Sequence, residues 1–154
     1  LSNELLKIAA KAIKQDKKIA IRLNGTSDQD FISIIKKYNN LDLLNDNKFK
    51  NLVFYDYTAI LGKIKKYINT NYSLTLSRKE DNENDILQAL KLGGNVAAVF
   101  RDELPTTYKG YNVVNGDTSD LEMLYNKNVI LGLKAKGDAK KDKTGFVIDS
   151  YNLN

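Results

Sequence analysis

Residues 52–77, LVFYDYTAILGKIKKYINTNYSLTLS, contain one complete strand–helix–strand unit. The first six residues are almost continuously apolar and are followed by Thr58, which is typical of a strand covered on both faces. Apolar residues then recur at the spacing of one helix face: Ile60, Leu61, Ile64, Tyr67 and Ile68. Residues 72–77 alternate as a second strand. Two strands joined by a helix indicate a right-handed βαβ unit with parallel strands.

The same alternation continues on both sides of this unit. On the N-terminal side, the pattern predicts a helix from Ser2 to about residue 15 with Ser2 as its N-cap, a strand at 18–23, and a helix near 31–38 capped by Ser27 or Asp28. On the C-terminal side, it predicts strands at 95–100 and 129–133 and helices at 86–92 and 117–125, and it leaves open two shorter strands at 111–114 and 145–148. Residues 41–51 are predicted to form an irregular loop.

These elements predict an α/β protein of repeated βα units with a mainly parallel sheet. The expected five or six strands are too few for a closed eight-stranded barrel, so an open sheet or a partial barrel is predicted. A length of 154 residues fits a single α/β domain at 1–154. Because the chain begins with Leu1, it is expected to be trimmed or to be the C-terminal part of a longer protein.

The composition excludes several kinds of chemistry. The chain has no cysteine and no histidine, so disulfides, the usual zinc sites, iron–sulfur clusters, thiol nucleophiles and histidine triads are not supported. A bound metal is expected to be a hard cation such as Mg²⁺ with oxygen ligands, and any other cofactor is unknown. No apolar run reaches the length of a membrane helix, so a soluble protein without a membrane partner is predicted.

The net charge of +5 is unevenly distributed. Two basic clusters, at residues 1–22 and 134–143, carry most of the excess lysine. Such clusters either contact phosphate groups or form solvated faces that aid solubility, and the sequence leaves both readings open. The tyrosines are spaced as packing residues of helices and strands, so no aromatic nucleic-acid platform is predicted.

Polar residues follow nearly every predicted strand at its carboxyl end. In parallel α/β folds these ends converge on one edge of the sheet, where ligands bind. The predicted ligand-binding residues are Arg22, Asn24, Asp28, Asp56, Thr58, Ser77, Arg78, Lys134 and Lys136. Asp117 and Asp120 are weaker candidates for metal ligands. Helix capping alone explains Asp28 and Asp117 equally well.

Arg22 and Asp56 each interrupt an apolar strand. An unpaired charge there would be costly, so an ion pair between neighbouring strands is expected. The pair would be structural, or it would orient a binding site.

Seven runs, in chain order, resemble the phage gene product 88 family, a set of uncharacterised phage and plasmid proteins. They are IRLNGTSD at 21–28, FYDYT at 54–58, LTLSRKE at 74–80, NVAAVF at 95–100, NGD at 115–117, GLKAKG at 132–137 and TGFV at 144–147. The resemblance implies a viral or mobile-element origin and one constellation of the candidate residues named above. It also implies an upstream cysteine-rich segment of the radical SAM type, which this chain lacks.

Three functions are compatible with these patterns. The leading hypothesis is a protein that binds a phosphorylated or nucleic-acid ligand at the carboxyl edge of its sheet. The alternatives are a non-catalytic interaction protein with a viral or host protein as its partner, and a metal-dependent hydrolase or nuclease. Whether the chain is an enzyme stays open. The expected location is the cytoplasm of the host cell or the virion.

Overall fold

The structure is a computed structural model that describes residues 1–152. Its helices are α1 (Ser2–Lys14), α2 (Phe31–Asn39), α3 (Leu61–Tyr67), α4 (Glu83–Lys91) and α5 (Glu122–Tyr125). Its strands are β1 (Ile19–Arg22), β2 (Leu52–Thr58), β3 (Tyr72–Ser77), β4 (Asn95–Phe100), β5 (Thr107–Tyr108), β6 (Tyr111–Asn115), β7 (Ile130–Lys134) and β8 (Val147–Ile148). Three short 3-10 turns lie at Asn47–Phe49, Gly137–Lys141 and Ser150–Asn152.

The sheet is open and mainly parallel, which confirms the predicted fold class. Its strand order is β1-β2-β3-β4-β7-β6-β5, and β8 pairs with β4 outside this path. The pairs β1–β2, β3–β4, β4–β7, β4–β8 and β6–β7 are parallel, and the β5–β6 hairpin is antiparallel. β1, β2, β3 and β4 lie side by side in chain order, as expected when a short crossover joins each strand to the next. After β4 the chain forms the β5–β6 hairpin and returns as β7 beside β4.

The chain divides into two compact units. The first unit comprises Leu1–Asp56 and Asn69–Ser73, and the second comprises Tyr57–Ile68 and the described residues from Leu74 onward. In the first unit, α1 and α2 bury apolar faces that contain Leu5, Ala9 and Ile35. In the second, the core includes Ile86 of α4 and Phe100 of β4. Each unit thus has buried apolar residues of its own, as the helical and strand periodicities require.

β8 extends the pairing of β4 beyond the end of β3. β3 pairs with residues 95–97 of β4, whereas β8 pairs with Val99 and Phe100. On its other edge, β4 pairs with β7 along residues 96–100. The carboxyl end of β4 therefore lies between β7 and β8, and this position determines what surrounds the residues after Phe100.

Several local predictions are wrong. Ser2 is the first residue of α1 rather than its cap, and no side chain caps that helix. The cap of α2 is Asp30, whose carboxylate accepts the N–H of Ser33 at 3.1 Å. The Ser27 hydroxyl instead donates to Oδ1 of Asn24 at 2.8 Å. The described residues contain eight strands, two or three more than predicted.

The helix predicted at 117–125 is a single turn, Glu122–Tyr125. The additional β5 is two residues long, too short for any period to reveal. Within residues 1–152, none of the helices combines the length and the apolar composition that crossing a bilayer requires.

Candidate ligand-binding cleft

In the first unit, a buried carboxylate organises the turn after β1. Asp56 is 0% exposed, and its Oδ1 accepts the backbone N–H of Asn24 at 2.8 Å. Its Oδ2 accepts the side-chain amide of Asn24 at 3.0 Å and the hydroxyl of Tyr72 at 2.7 Å. Asn24 in turn accepts the N–H of Gln29 at 3.0 Å. These bonds supply a buried charge with the partners it needs.

Arg22 completes this cluster from the more exposed side of β1. Its Nε lies 3.9 Å from Oδ1 of Asp56 and donates to the carbonyl of Asn24 at 2.9 Å. The predicted pairing of Arg22 with Asp56 is confirmed as a long ion pair. Asp28 is half-buried in the same turn. Four predicted site residues, Arg22, Asn24, Asp28 and Asp56, thus lie together in the first unit.

The Tyr72 hydroxyl stays protonated in this setting. Burial raises the pKa of Tyr72, and its hydrogen bond to the Asp56 carboxylate raises it further. A neutral tyrosine is a donor to Asp56, whereas a phenolate would repel it. The cluster is therefore a set of satisfied bonds that holds the β1 turn in place.

In the second unit, an open cavity of about 620 Å³ lies beyond the carboxyl ends of β4 and β7. Four of its lining side chains are basic and two are acidic, so the lining carries a net positive charge. The lining residues are Arg101, Asp102, Glu103, Lys134, Ala135, Lys136, Gly137, Lys140 and Tyr151. We call this cavity the basic cleft. Its volume is in the range of small-ligand sites.

Arg101 holds one wall of the basic cleft. Its guanidinium donates to the Asp149 carboxylate, to the carbonyl of Lys140 and, at 2.8 Å, to the carbonyl of Asp142. The ion pair with Asp149 raises the pKa of Arg101. A planar guanidinium with five donors can join three acceptors in this way. Arg101 therefore fixes the 3-10 turn Gly137–Lys141 over the end of β4.

Asp117 contacts two lysines of the basic cleft. Its carboxylate accepts the backbone N–H of Lys134 at 2.7 Å and the ammonium of Lys136 at 2.7 Å. These two donors lower the pKa of Asp117, with the Lys134 N–H as the larger cause. The side chain of Lys136 remains 77% exposed, and an ammonium has further donors to offer. Asp117 thus positions Lys136 at the cleft.

The remaining predicted ligand-binding residues, Thr58, Ser77 and Arg78, form hydrogen bonds outside the basic cleft. The Thr58 hydroxyl accepts the N–H of Ile60 at 3.1 Å, and the carbonyl of Ser77 accepts the side chain of Asn82 at 2.9 Å. Arg78 donates to the carbonyls of Gly145 and Phe146. Of the nine predicted ligand-binding residues, Lys134 and Lys136 line the basic cleft.

The predicted metal ligands are not gathered into a metal-binding group. Asp120 accepts the hydroxyl of Tyr57 at 3.3 Å, while both oxygens of Asp117 accept N–H donors. In the part of the chain that the structure describes, no three acidic or histidine side chains come together as ligands. Binding of Mg²⁺ therefore stays a prediction, and the arrangement of Asp117 and Asp120 does not support it.

Sequence reasoning did not assign Arg101, Lys140 or Tyr151 to the site. The available signal for Arg101 was its place directly after β4, a strand that pairs on both edges. Lys140 belongs to the basic run at 134–143. No pattern pointed to Tyr151, because its place depends on pairing between β8 and β4.

The fold and the cleft define an α/β protein with an open, mainly parallel sheet and a basic cavity beyond the carboxyl ends of two adjacent strands. A protein-family model described as Gene product 88 matches residues 1–150, so the chain belongs to the Gene product 88 family. The predicted resemblance is thereby confirmed, although the match does not support the radical SAM likeness. No curated protein and no solved structure matches the chain.

Proposed function

We propose that the protein binds a phosphorylated or nucleic-acid ligand in the basic cleft. The observation that carries the proposal is the convergence of Lys134, Lys136 and Lys140 on one open cavity at the carboxyl ends of β4 and β7. Ligands of parallel α/β proteins bind at this edge, and lysine ammonium groups attract phosphate. The host cytoplasm and the virion both contain such ligands, and both remain proposed locations.

Two of these lysines have no acidic partner of their own. Among residues 1–152, neither the ammonium of Lys134 nor that of Lys140 forms an ion pair, whereas Lys136 pairs with Asp117. A phosphate in the cleft would neutralise Lys134 and Lys140 and would share Lys136 with Asp117. Since such binding releases counterions, the affinity falls as the salt concentration rises.

The test is fluorescence anisotropy with a labelled short single-stranded oligonucleotide at low salt. The double variant Lys134→Gln with Lys136→Gln is expected to bind about tenfold or more weakly, because removing phosphate contacts weakens binding for all sequences. The matched control is Lys11→Gln with Lys14→Gln, which removes the same charge from exposed positions of α1.

The control variant is expected to retain most of the wild-type affinity. Equal losses in the two double variants would show that net charge, and not the cleft, governs binding. Absence of binding by the wild-type protein, to the oligonucleotide and to inorganic phosphate alike, contradicts the proposal.

A further inference from the structure

The segment that follows β8 is fixed along the residues that follow β4. The N–H of Arg101 donates to the carbonyl of Ile148 at 2.9 Å, and the guanidinium of Arg101 pairs with Asp149. The hydroxyl of Ser150 then donates to the carbonyl of Glu103 at 2.5 Å. Three successive residues, 148–150, are thus anchored to residues 101–103. The next residue is Tyr151.

These contacts place Tyr151 at the wall of the basic cleft. It lines the cavity together with the lysines, yet its side chain is 78% exposed. Tyr72 and Tyr108, by contrast, are buried. An exposed ring beside phosphate-binding lysines is the combination with which proteins bind single-stranded nucleic acid, because every base has a face that stacks on an aromatic ring.

We propose that Tyr151 is a stacking platform for a nucleobase, so that the ligand of the basic cleft is a nucleotide unit of a single strand. This inference rests on the proposed function, and it names the class of ligand. The phosphates contact Lys134, Lys136 and Lys140 while a base stacks on Tyr151. The carboxylates of Asp102 and Glu103 line the same cavity, where they can accept a hydrogen bond from an N–H group of a base, such as N3–H of thymine.

The experiment measures affinity for an oligo-dT strand, for an abasic deoxyribose-phosphate strand of equal length, and for a mononucleotide. Tyr151→Ala is expected to weaken oligo-dT binding about 5- to 100-fold, the range that loss of one stacked base produces. Tyr151→Phe keeps the ring and is expected to bind as the wild type does. The matched control is Tyr125→Ala on α5, because Tyr125 is 77% exposed and does not line the cavity.

The abasic strand is expected to bind the wild-type protein weakly and to be insensitive to Tyr151→Ala. Comparison of the mononucleotide with oligo-dT shows whether one nucleotide unit suffices or a continuous strand is required. If Tyr151→Ala binds oligo-dT as the wild type does, while the lysine double variant is weakened, stacking is refuted and the proposed function stands. If the wild type binds none of these probes but binds inorganic phosphate, the nucleotide inference alone is refuted; if it binds inorganic phosphate no better, both are refuted.

Discussion

At the scale of single residues, the clearest feature is that Asp56, Asp117 and Arg101 each have several hydrogen-bond partners in the fold. The Asp56 carboxylate receives three donors in the first unit. In the second unit, Asp117 receives two and Arg101 serves three acceptors. A buried or half-buried charge without such partners would destabilise the fold. Polar residues at the strand ends of this chain therefore have a structural role.

Replacement of Asp56 by alanine is expected to lower the free energy of unfolding by about 2–4 kcal/mol, because buried donors of Asn24 and Tyr72 lose their acceptor. Urea denaturation measures this change. The control is Asp138→Ala, since the Asp138 side chain is fully exposed and its loss is expected to have little effect. A change below about 0.5 kcal/mol for Asp56→Ala would contradict the view of Asp56 as a buried organiser.

The raised pKa of Tyr72 predicts that the protein loses stability at alkaline pH. Its pKa in the folded protein lies above the ordinary value of 10.0, so above that pH the unfolded chain releases a proton that the folded chain keeps. The free energy of unfolding must then fall as the pH rises past about 10. Urea midpoints at pH 9 and pH 11 should show a smaller drop for Tyr72→Phe than for the wild type. An identical drop in both proteins would show that Tyr72 does not contribute.

At the scale of elements, the cleft depends on strands that are far apart in the chain. β4, β7 and β8 meet at one place, and Arg101 connects the loops that follow β4 and β7. Arg101 fixes the turn at 137–141, whereas Arg78 fixes the segment at 145–146. Arg101 therefore orders part of the predicted basic cluster at 134–143, and Arg78 orders residues that follow this cluster.

Amide hydrogen exchange separates these two roles. Arg101→Ala is expected to speed exchange at Ala139 and Asp142, whose N–H groups donate within the 3-10 turn, by about tenfold, corresponding to the loss of a bond worth about 1–1.5 kcal/mol. Arg78→Ala is the matched comparison and should affect residues 145–147 instead. Unchanged exchange at Ala139 and Asp142 in Arg101→Ala would refute the role of Arg101.

The packing between neighbouring strands makes a further prediction at Gly132 of β7. An added Cβ would lie 2.7 Å from Cγ1 of Val113 and 2.9 Å from Cδ2 of Leu104. Gly132→Ala is therefore expected to destabilise the protein by about 1–3 kcal/mol, measured as a lower urea midpoint. Gly25→Ala is the control, because nothing lies within 4 Å of its added Cβ. Equal midpoints for the two variants would contradict this packing.

The elements themselves could be predicted largely from sequence, because β2, β3 and β4 are long apolar or alternating runs. What could not be predicted depends on contacts between distant residues. The two-residue β5 has no period, and the partners of Arg78 lie 67 and 68 residues away. Lys134 and Lys136 were found from charge and strand position, but the placement of Tyr151 requires the β4–β8 pairing and Ser150.

At the scale of the whole molecule, the charge distribution and the sheet edge limit the function. The sequence has two basic clusters, and the second coincides with a cavity at the carboxyl ends of β4 and β7. Membership of the Gene product 88 family covers nearly the whole chain. The family match assigns no ligand, so the ligand must be inferred from the chemistry of the cleft.

Chemical-shift mapping tests this inference at the level of individual residues. Isotope-labelled protein is titrated with a short single-stranded oligonucleotide, and the amide signals are followed through the titration. We expect the largest shifts at residues 101–103, 134–140 and 151, which surround the basic cleft. Shifts confined to the lysines of residues 1–22, with the cleft signals unmoved, would contradict the assignment of the ligand to this cavity.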